Sequence, residues 1–214
     1  MKKILVLLSC CVLLSACKVE LSPSVNLSDL SSETPKTIKS DLTIEVAACS
    51  NYKDSRQESS SLIEAKQKIT QIFPNAEYVE CYKERMDSKA SFKIPVVVGG
   101  KQPSGDIQIT NGDWGDGMIV LVSKELSGKM NNMKKSPSGK LDFDIKINLN
   151  NDLGKERNIS ANGVYIDNDP ILLSQYLLQT GNHIFRLSNV SVDALLKNNI
   201  IFVYQDYKKK DETQ

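Results

Sequence analysis

The chain has 214 residues, of which 40% are hydrophobic and 25% are charged. This composition is typical of a soluble globular protein, and the length is sufficient for one large domain or two small ones. The 27 Lys and Arg residues are balanced by 26 Asp and Glu residues. The sequence therefore lacks the basic excess on which binding to nucleic acid depends.

The first sixteen residues have the layout of a secretory signal peptide. Lys2 and Lys3 precede an apolar run over 4–14, and the small residues Ser15 and Ala16 follow it. The run has roughly 11 residues, whereas a helix needs about 20 to span a bilayer. We therefore expect residues 1–16 to be cleaved off, which leaves 25 basic and 26 acidic side chains.

The sequence Leu14-Ser15-Ala16-Cys17 resembles the lipobox of bacterial lipoproteins. The resemblance implies that Cys17 becomes the first residue of the mature protein and is diacylated through its nucleophilic sulfur. Each buried methylene of the lipid contributes about 0.8 kcal/mol to membrane attachment. In the sorting rule of enterobacterial lipoproteins, Asp after the cysteine retains the protein in the inner membrane. Lys18 therefore implies the outer membrane, with the domain on its periplasmic or its cell-surface side.

Two cysteines, Cys49 and Cys81, remain beyond the leader and Cys17. An even pair in an exported chain predicts a disulfide bond, with two buried thiols as the alternative. A metal site is not expected, because no histidine lies near either cysteine. Cys49 follows the first predicted strand and Cys81 is late in the second, so we expect the bond to join neighbouring strands.

The chain divides into a tether, a globular domain and a tail. Residues 17–40 are rich in Ser, Thr, Pro and Asn, which predicts a flexible tether from the lipidated cysteine. The folded domain is predicted over 41–207, with a subdomain break near 134–140 and a disordered tail at 208–214. No other long apolar run is present, so the lipid is the only membrane attachment expected.

The predicted elements alternate between strands and a few helices. Alternating or β-branched segments predict strands at 42–46, 76–82, 90–98, 106–110, 118–122, 141–149, 159–166, 184–187 and 200–204. Apolar residues at helical spacing predict helices at 61–73 and 124–135. The apolar run at 171–178 could form a short helix, and 192–196 is expected to form one or two helical turns. We expect 159–166 to form a hairpin with 141–149. The result is a sheet-rich α+β fold with mainly antiparallel strands and two or three short helices.

The sequence contains no catalytic residue, metal site or cofactor motif that we would assign. His183 is the only histidine, so it cannot build a zinc site, and no serine or cysteine beside it suggests a triad. Asn111, Asp113 and Asp116 occupy a glycine-rich turn that could hold calcium, but the order of an EF-hand loop is missing. The acidic residues between 80 and 87 are typical of a solvated face.

Trp114 is the only tryptophan and lies between glycines at a predicted loop tip. An exposed Trp is common in protein interfaces, which makes Trp114 a candidate partner contact. An indole folded back over the core is the alternative.

These observations favour an outer-membrane lipoprotein that is not an enzyme and works as a protein-binding or accessory module. Its expected partners are the bilayer, through acylated Cys17, and another envelope protein. The chain looks like the small accessory lipoproteins of enterobacteria and their prophages, which implies envelope modification or phage exclusion. A periplasmic hydrolase, a calcium-dependent carbohydrate-binding protein and a secretion or pilus accessory lipoprotein remain as alternatives.

Overall fold

The computed structural model describes residues 17–111, 117–135 and 141–207. The strands in these ranges are β1 (Cys17–Ser22), β2 (Ser24–Asn26), β3 (Lys36–Val46), β4 (Glu77–Glu84), β5 (Asp87–Val98), β6 (Ile107–Thr110), β7 (Gly117–Val122), β8 (Leu141–Asn151), β9 (Arg157–Ile166), β10 (Asp169–Leu178), β11 (Gly181–Leu187) and β12 (Ile200–Asp206). The helices are α1 (Leu27–Leu30), α2 (Ser60–Ile72), α3 (Lys124–Lys134) and α4 (Asn189–Asn198).

All twelve strands belong to one sheet, in the order β1-β3-β5-β6-β7-β12-β9-β11-β8-β2. In addition, β4 pairs with β5 and β10 pairs with β9. Because β1 pairs with β8 as well as with β3, the path returns to its start and the sheet closes into a ring. Most neighbours are antiparallel, whereas β8 is parallel to β1 and β2, and β5 is parallel to β6.

This architecture confirms the sheet-rich α+β prediction, although the sheet is mixed. The described residues contain four helices instead of the expected two or three, and α1 is a single turn of 4 residues. The three longer helices each begin at a serine. The hydroxyl oxygens of Ser59, Ser123 and Ser188 accept hydrogen bonds from backbone N–H groups three residues later, which satisfies donors that a helix start leaves unpaired.

The core lies inside the closed sheet. Buried side chains recur at every second position in the second half of β3 and along β8, as expected for strands with one face toward the core, whereas β5 is buried at consecutive positions over 90–92 and 96–98. Helix α4 contacts β7, β8, β9, β11 and β12, so it lies against strands from both sides of the ring. Its Leu195 and Leu196 are buried and face an apolar space that Leu42 and Phe143 also line.

The predicted flexible tether over 17–40 is wrong. The structure places these residues in β1, β2, α1 and the start of β3. Val19, Leu21, Val25, Leu27 and Leu30 are buried in the core. The segment folds because these apolar side chains are buried in the core and because β1 and β2 pair with β3 and β8.

Three further expectations change. Residues 171–178 are strand β10 instead of a helix, and 159–166 pairs with β10, β11 and β12 instead of forming a hairpin with β8. The sheet continues on both sides of the expected break near 134–140, since β1 and β2 pair directly with β8. Residues 136–140 themselves, and the tail at 208–214, lie outside the described residues.

Candidate functional site

The β9–β10 hairpin has a tight turn whose geometry fixes the direction of the backbone groups of β10. Ile166 pairs with Asp169, and the two residues between them, Asp167 and Asn168, have φ angles of 51° and 77°. A two-residue turn with two positive φ angles makes the flanking pair a hydrogen-bonded one. The next position, Pro170, then faces away from β9, which suits a residue without an N–H group.

The same alternation directs the backbone groups of Leu172, Ser174 and Tyr176 away from β9. Among the described residues, β10 pairs with β9 alone, so this second edge has no strand beside it. The edge is 10 residues long. A long edge strand with apolar side chains is a template for pairing with another chain, and it is unusual for such an edge to lack a covering element.

An apolar groove lies between α4 and the turn end of the hairpin, where the first residues of β10, 170–172, are part of its lining. It has a volume of about 620 Å³. Its apolar lining includes Ile171, Leu172, Val190, Ala194, Ile201 and Phe202. Leu172 is 82% exposed and Val190 is 79% exposed, while Leu173, next along β10, is 75% exposed. Leu173 does not line the groove, since successive side chains of a strand point to opposite faces. Exposed aliphatic side chains within one groove, such as Leu172 and Val190, are typical of an interaction surface.

The floor of the groove depends on a close approach between α4 and β9. The hydroxyl of Ser191 donates to the carbonyl oxygen of Gly163 at 2.5 Å. Gly163 has a φ of 64°, and a Cβ there would lie 2.8 Å from that hydroxyl oxygen. Glycine therefore permits both the backbone bend in β9 and the packing of the helix start against it.

His183 ties the hairpin turn to β11. Its Nδ1 lies 2.6 Å from Oδ2 of Asp167, and its Nε2 lies 3.1 Å from the carbonyl oxygen of Gln179. The backbone N–H of Ile184 donates to Oδ1 of Asp167 at 2.8 Å. Both ring nitrogens of His183 therefore have a partner within hydrogen-bond distance in the folded domain. This arrangement gives His183 a structural role.

Tyr176 also contacts Asp167, the residue of the hairpin turn that His183 contacts. Burial raises the pKa of the Tyr176 hydroxyl, and the neighbouring carboxylate of Asp167 raises it further. The hydroxyl lies 3.5 Å from Oδ2 of Asp167. The turn, the histidine and the tyrosine thus hold the hairpin in place, and they leave the outer edge of β10 unoccupied by any described residue.

Cys17 is the first residue of β1, where it pairs with Leu141 at the start of β8. The residue after it is already fixed, because Lys18 Nζ lies 3.4 Å from Oδ2 of Asp144. On the same strands, Lys146 Nζ donates to a carboxylate oxygen of Glu20 at 2.5 Å. The candidate acylation site is therefore joined to the folded domain without a spacer.

The structure confirms the disulfide bond between Cys49 and Cys81, whose Cα atoms lie 5.5 Å apart. The expectation that the bond joins neighbouring strands is wrong, because β5 lies between β3 and β4. Cys49 is in the loop after β3, and from there it reaches β4 on the far side of β5. The bond therefore ties this loop to the edge of the sheet.

The remaining candidate residues from the sequence do not form a site in the described residues. Trp114, Asp113 and Asp116 lie outside those ranges. The backbone N–H of Asn111, at the start of the same turn, donates to the carbonyl oxygen of Leu30 at 3.1 Å. Within 17–111, 117–135 and 141–207, no group of three His, Cys, Asp or Glu residues could hold a metal ion.

One of the acidic residues near the β4–β5 turn, Glu84, is paired with lysine. Glu84 forms an ion pair with Lys89, and the hydrogen bond between them lowers the pKa of the Glu84 carboxyl. Both Glu84 and its neighbour Asp87 are exposed. A carboxyl group with a lowered pKa is a poor general acid near neutral pH, so the pair gives no support to hydrolase chemistry.

Sequence reasoning missed the edge of β10. The apolar run at 171–178 has no clear hydrophobic period, so the sequence alone is compatible with a short helix as well as with a strand. The turn before this run indicates an edge strand. Asp167-Asn168 between apolar segments favours a two-residue hairpin, and Pro170 disfavours a strand in the middle of a sheet.

No helix in the described part of the chain is long and apolar enough to cross a membrane. No curated protein and no solved structure matches the chain. A family model, described as Domain of unknown function (DUF7424), matches residues 19–209. This match spans the region from β1 through β12, and the chain accordingly belongs to the DUF7424 family.

Proposed function

We propose that the protein is an outer-membrane lipoprotein, not an enzyme, that binds an extended segment of another envelope protein. The segment adds to the outer edge of β10 as a further strand of the sheet. The observation that carries this proposal is that β10 has no second strand neighbour among the described residues and borders an apolar groove.

Strand addition explains both features of this surface. Backbone N–H and C=O groups along the outer edge provide hydrogen bonds to any extended chain, and they contribute affinity with little dependence on sequence. Side chains of an added strand alternate in direction, so every second one faces the groove. The exposed Leu172 and Val190 then select a partner segment with apolar residues at alternate positions.

The lipid anchor is supported by the lipobox at 14–17, and the outer membrane by Lys18. Attachment to the membrane confines the protein to the surface where an envelope partner is found, which raises the local concentration of both. An accessory role in envelope modification or phage exclusion extends the proposal and is supported by the sequence resemblance alone.

The edge is tested by photo-crosslinking in living cells from a benzoylphenylalanine at position 173 of the full-length protein. We expect one dominant adduct with an envelope protein, and none from the same probe at the exposed Ile63 on α2. Ser174→Pro removes an outward N–H without breaking the pairing with β9, so the adduct should be lost. Ser174→Ala keeps the N–H and should keep the adduct.

An adduct that survives Ser174→Pro unchanged would rule out strand addition at this edge. The absence of any adduct from a folded, abundant protein would contradict protein binding and redirect attention to small molecules or glycans. The anchor is tested separately, since Cys17→Ser should abolish labelling with radioactive palmitate. Continued labelling of this variant would refute acylation at Cys17.

A further inference from the structure

The ends of four neighbouring strands lie at the same end of the domain as Cys17, the first residue of β1. Continuing the antiparallel register of β1 and β3 by two residues sets Cys17 beside Val46. Val46 pairs with Ser88 on β5, and Ser88 pairs with Lys83 on β4. Cys17, Val46, Ser88 and Lys83 therefore form one row across β1, β3, β5 and β4.

The turn between β4 and β5 projects beyond this row. Glu84 pairs with Asp87, and Arg85 and Met86 form the tip between them. The tip lies two residues beyond the row, which corresponds to about 6–7 Å of extended chain. It lies on the side of the row from which the chain enters β1. Met86 is 91% exposed, so its thioether side chain has almost no protein contact.

The domain cannot move far from an anchor at Cys17. Val19 to Leu21 are paired on both sides, with β3 and with β8, while Lys18 pairs with β8 and is in an ion pair with Asp144. An acyl group on the Cys17 sulfur fixes that atom at the level of the lipid headgroups. Any part of the protein that extends past Cys17 in the direction of the membrane must then enter the headgroup region.

We propose that the tip of the β4–β5 hairpin is a membrane-contacting element, in which Met86 inserts at the boundary between headgroups and acyl chains. Arg85 keeps its guanidinium among the headgroups, as long cationic side chains do at an interface. The acyl group and the tip together hold the domain in one orientation on the bilayer. This inference rests on the proposed acylation of Cys17.

The contact is apolar and does not depend on anionic lipid. The tip and the residues that flank it carry two cationic side chains, Lys83 and Arg85, and two anionic ones, Glu84 and Asp87. These charges cancel, and Glu84 is also paired with Lys89 from β5. A bilayer of uncharged phospholipid therefore suffices as the partner, because the insertion of the methionine does not require attraction to a negative surface.

The test uses the full-length acylated protein in phosphatidylcholine vesicles. Met86→Cys is labelled with an environment-sensitive fluorophore, and Leu153→Cys with the same label is the matched control. Leu153 is exposed and lies just beyond the far end of β8, a strand of 11 residues that begins beside Cys17. We expect the label at position 86 to shift to shorter emission wavelength and to resist an aqueous quencher, while the label at 153 does neither.

Vesicle-bound protein whose label at 86 remains fully quenchable would overturn the membrane contact and leave the anchor intact. Protein that carries no acyl group and does not float with vesicles would overturn both proposals. Adding anionic phospholipid should leave the emission at 86 unchanged. A shift that appears only with anionic phospholipid would contradict the apolar contact.

Discussion

Lys18 Nζ and Oδ2 of Asp144 lie 3.4 Å apart, in an ion pair between the first strand of the chain and a strand in its second half. The other oxygen of Asp144 accepts a hydrogen bond from Nε of Arg186 at 2.9 Å. This hydrogen bond raises the pKa of the Arg186 guanidinium. One buried carboxylate thus connects β1, β8 and β11 at the point where the sheet closes.

We expect Asp144→Ala to lower the free energy of unfolding by about 1–3 kcal/mol, because it leaves two cationic groups without their shared partner. Lys18→Ala should cost less than about 1 kcal/mol, since the lysine is partly exposed and water can replace its contacts. Urea unfolding of both variants measures the difference. Equal losses in the two variants would show that the carboxylate is not the centre of the network.

The Cys49–Cys81 disulfide should stabilise the domain by restricting the unfolded chain. With a sequence separation of 32 between the two cysteines, the chain-entropy relation gives about 3–4 kcal/mol. The double variant Cys49→Ala, Cys81→Ala should lose about this amount in urea unfolding. The wild type reduced with dithiothreitol is the control and should match the variant. A thiol titration that finds two free thiols in the denatured, unreduced protein would contradict the bond.

Tyr204 should make the domain sensitive to alkaline pH. Its ring packs beside Phe185, its hydroxyl has no hydrogen-bond partner among the described residues, and burial raises its pKa. The unfolded chain ionises this group near pH 10, whereas the folded chain keeps the proton, so stability falls as the pH rises above about 10.

Tyr204→Phe should remove that part of the pH dependence, which is at most about 1.4 kcal/mol per pH unit. At pH 7 the variant should be as stable as the wild type or more stable by up to about 1 kcal/mol, because no buried hydroxyl is left unpaired. Urea unfolding at pH 7, 10 and 11 measures both effects. A loss of stability at pH 7 would show that the hydroxyl makes a favourable contact.

Arg85 occupies a backbone conformation that favours glycine, with a φ of 57°. Arg85→Gly should therefore raise the free energy of unfolding by about 0.5–1 kcal/mol. Met86→Gly, the neighbouring control, should lower it by up to about 1 kcal/mol, because position 86 has an ordinary negative φ. A destabilising Arg85→Gly would mean that contacts of the arginine outweigh its backbone strain.

Local patterns were sufficient to predict the elements with a clear period. The alternation over 141–149 corresponds to β8, and the helix predicted over 61–73 corresponds to α2 (Ser60–Ile72). The disulfide followed from the number of cysteines and from the expectation that the chain is exported. The strand and the helix depend on short stretches of sequence, and the disulfide prediction depends on the number of cysteines, which can be counted without knowing the fold.

The failures all concern long-range partners. The residues over 18–30 form strands and a helical turn only because β3, β8 and the core supply contacts, and their composition alone resembles a linker. Residues 171–178 are a strand because β9 pairs with them along their whole length. The candidate binding edge was missed for the same reason, since an edge is defined by which strands are its neighbours.

The parallel pairing of Cys17 with Leu141 has a consequence for the order of maturation. The amino-terminal strand leaves the ribosome first, yet its partner β8 follows more than a hundred residues later, several seconds at about 5–20 residues per second. Contacts of such high sequence separation also form slowly, because the closure of the intervening chain costs entropy. The pairing of the amino-terminal strand with β8 is therefore completed only after most of the chain has been synthesised.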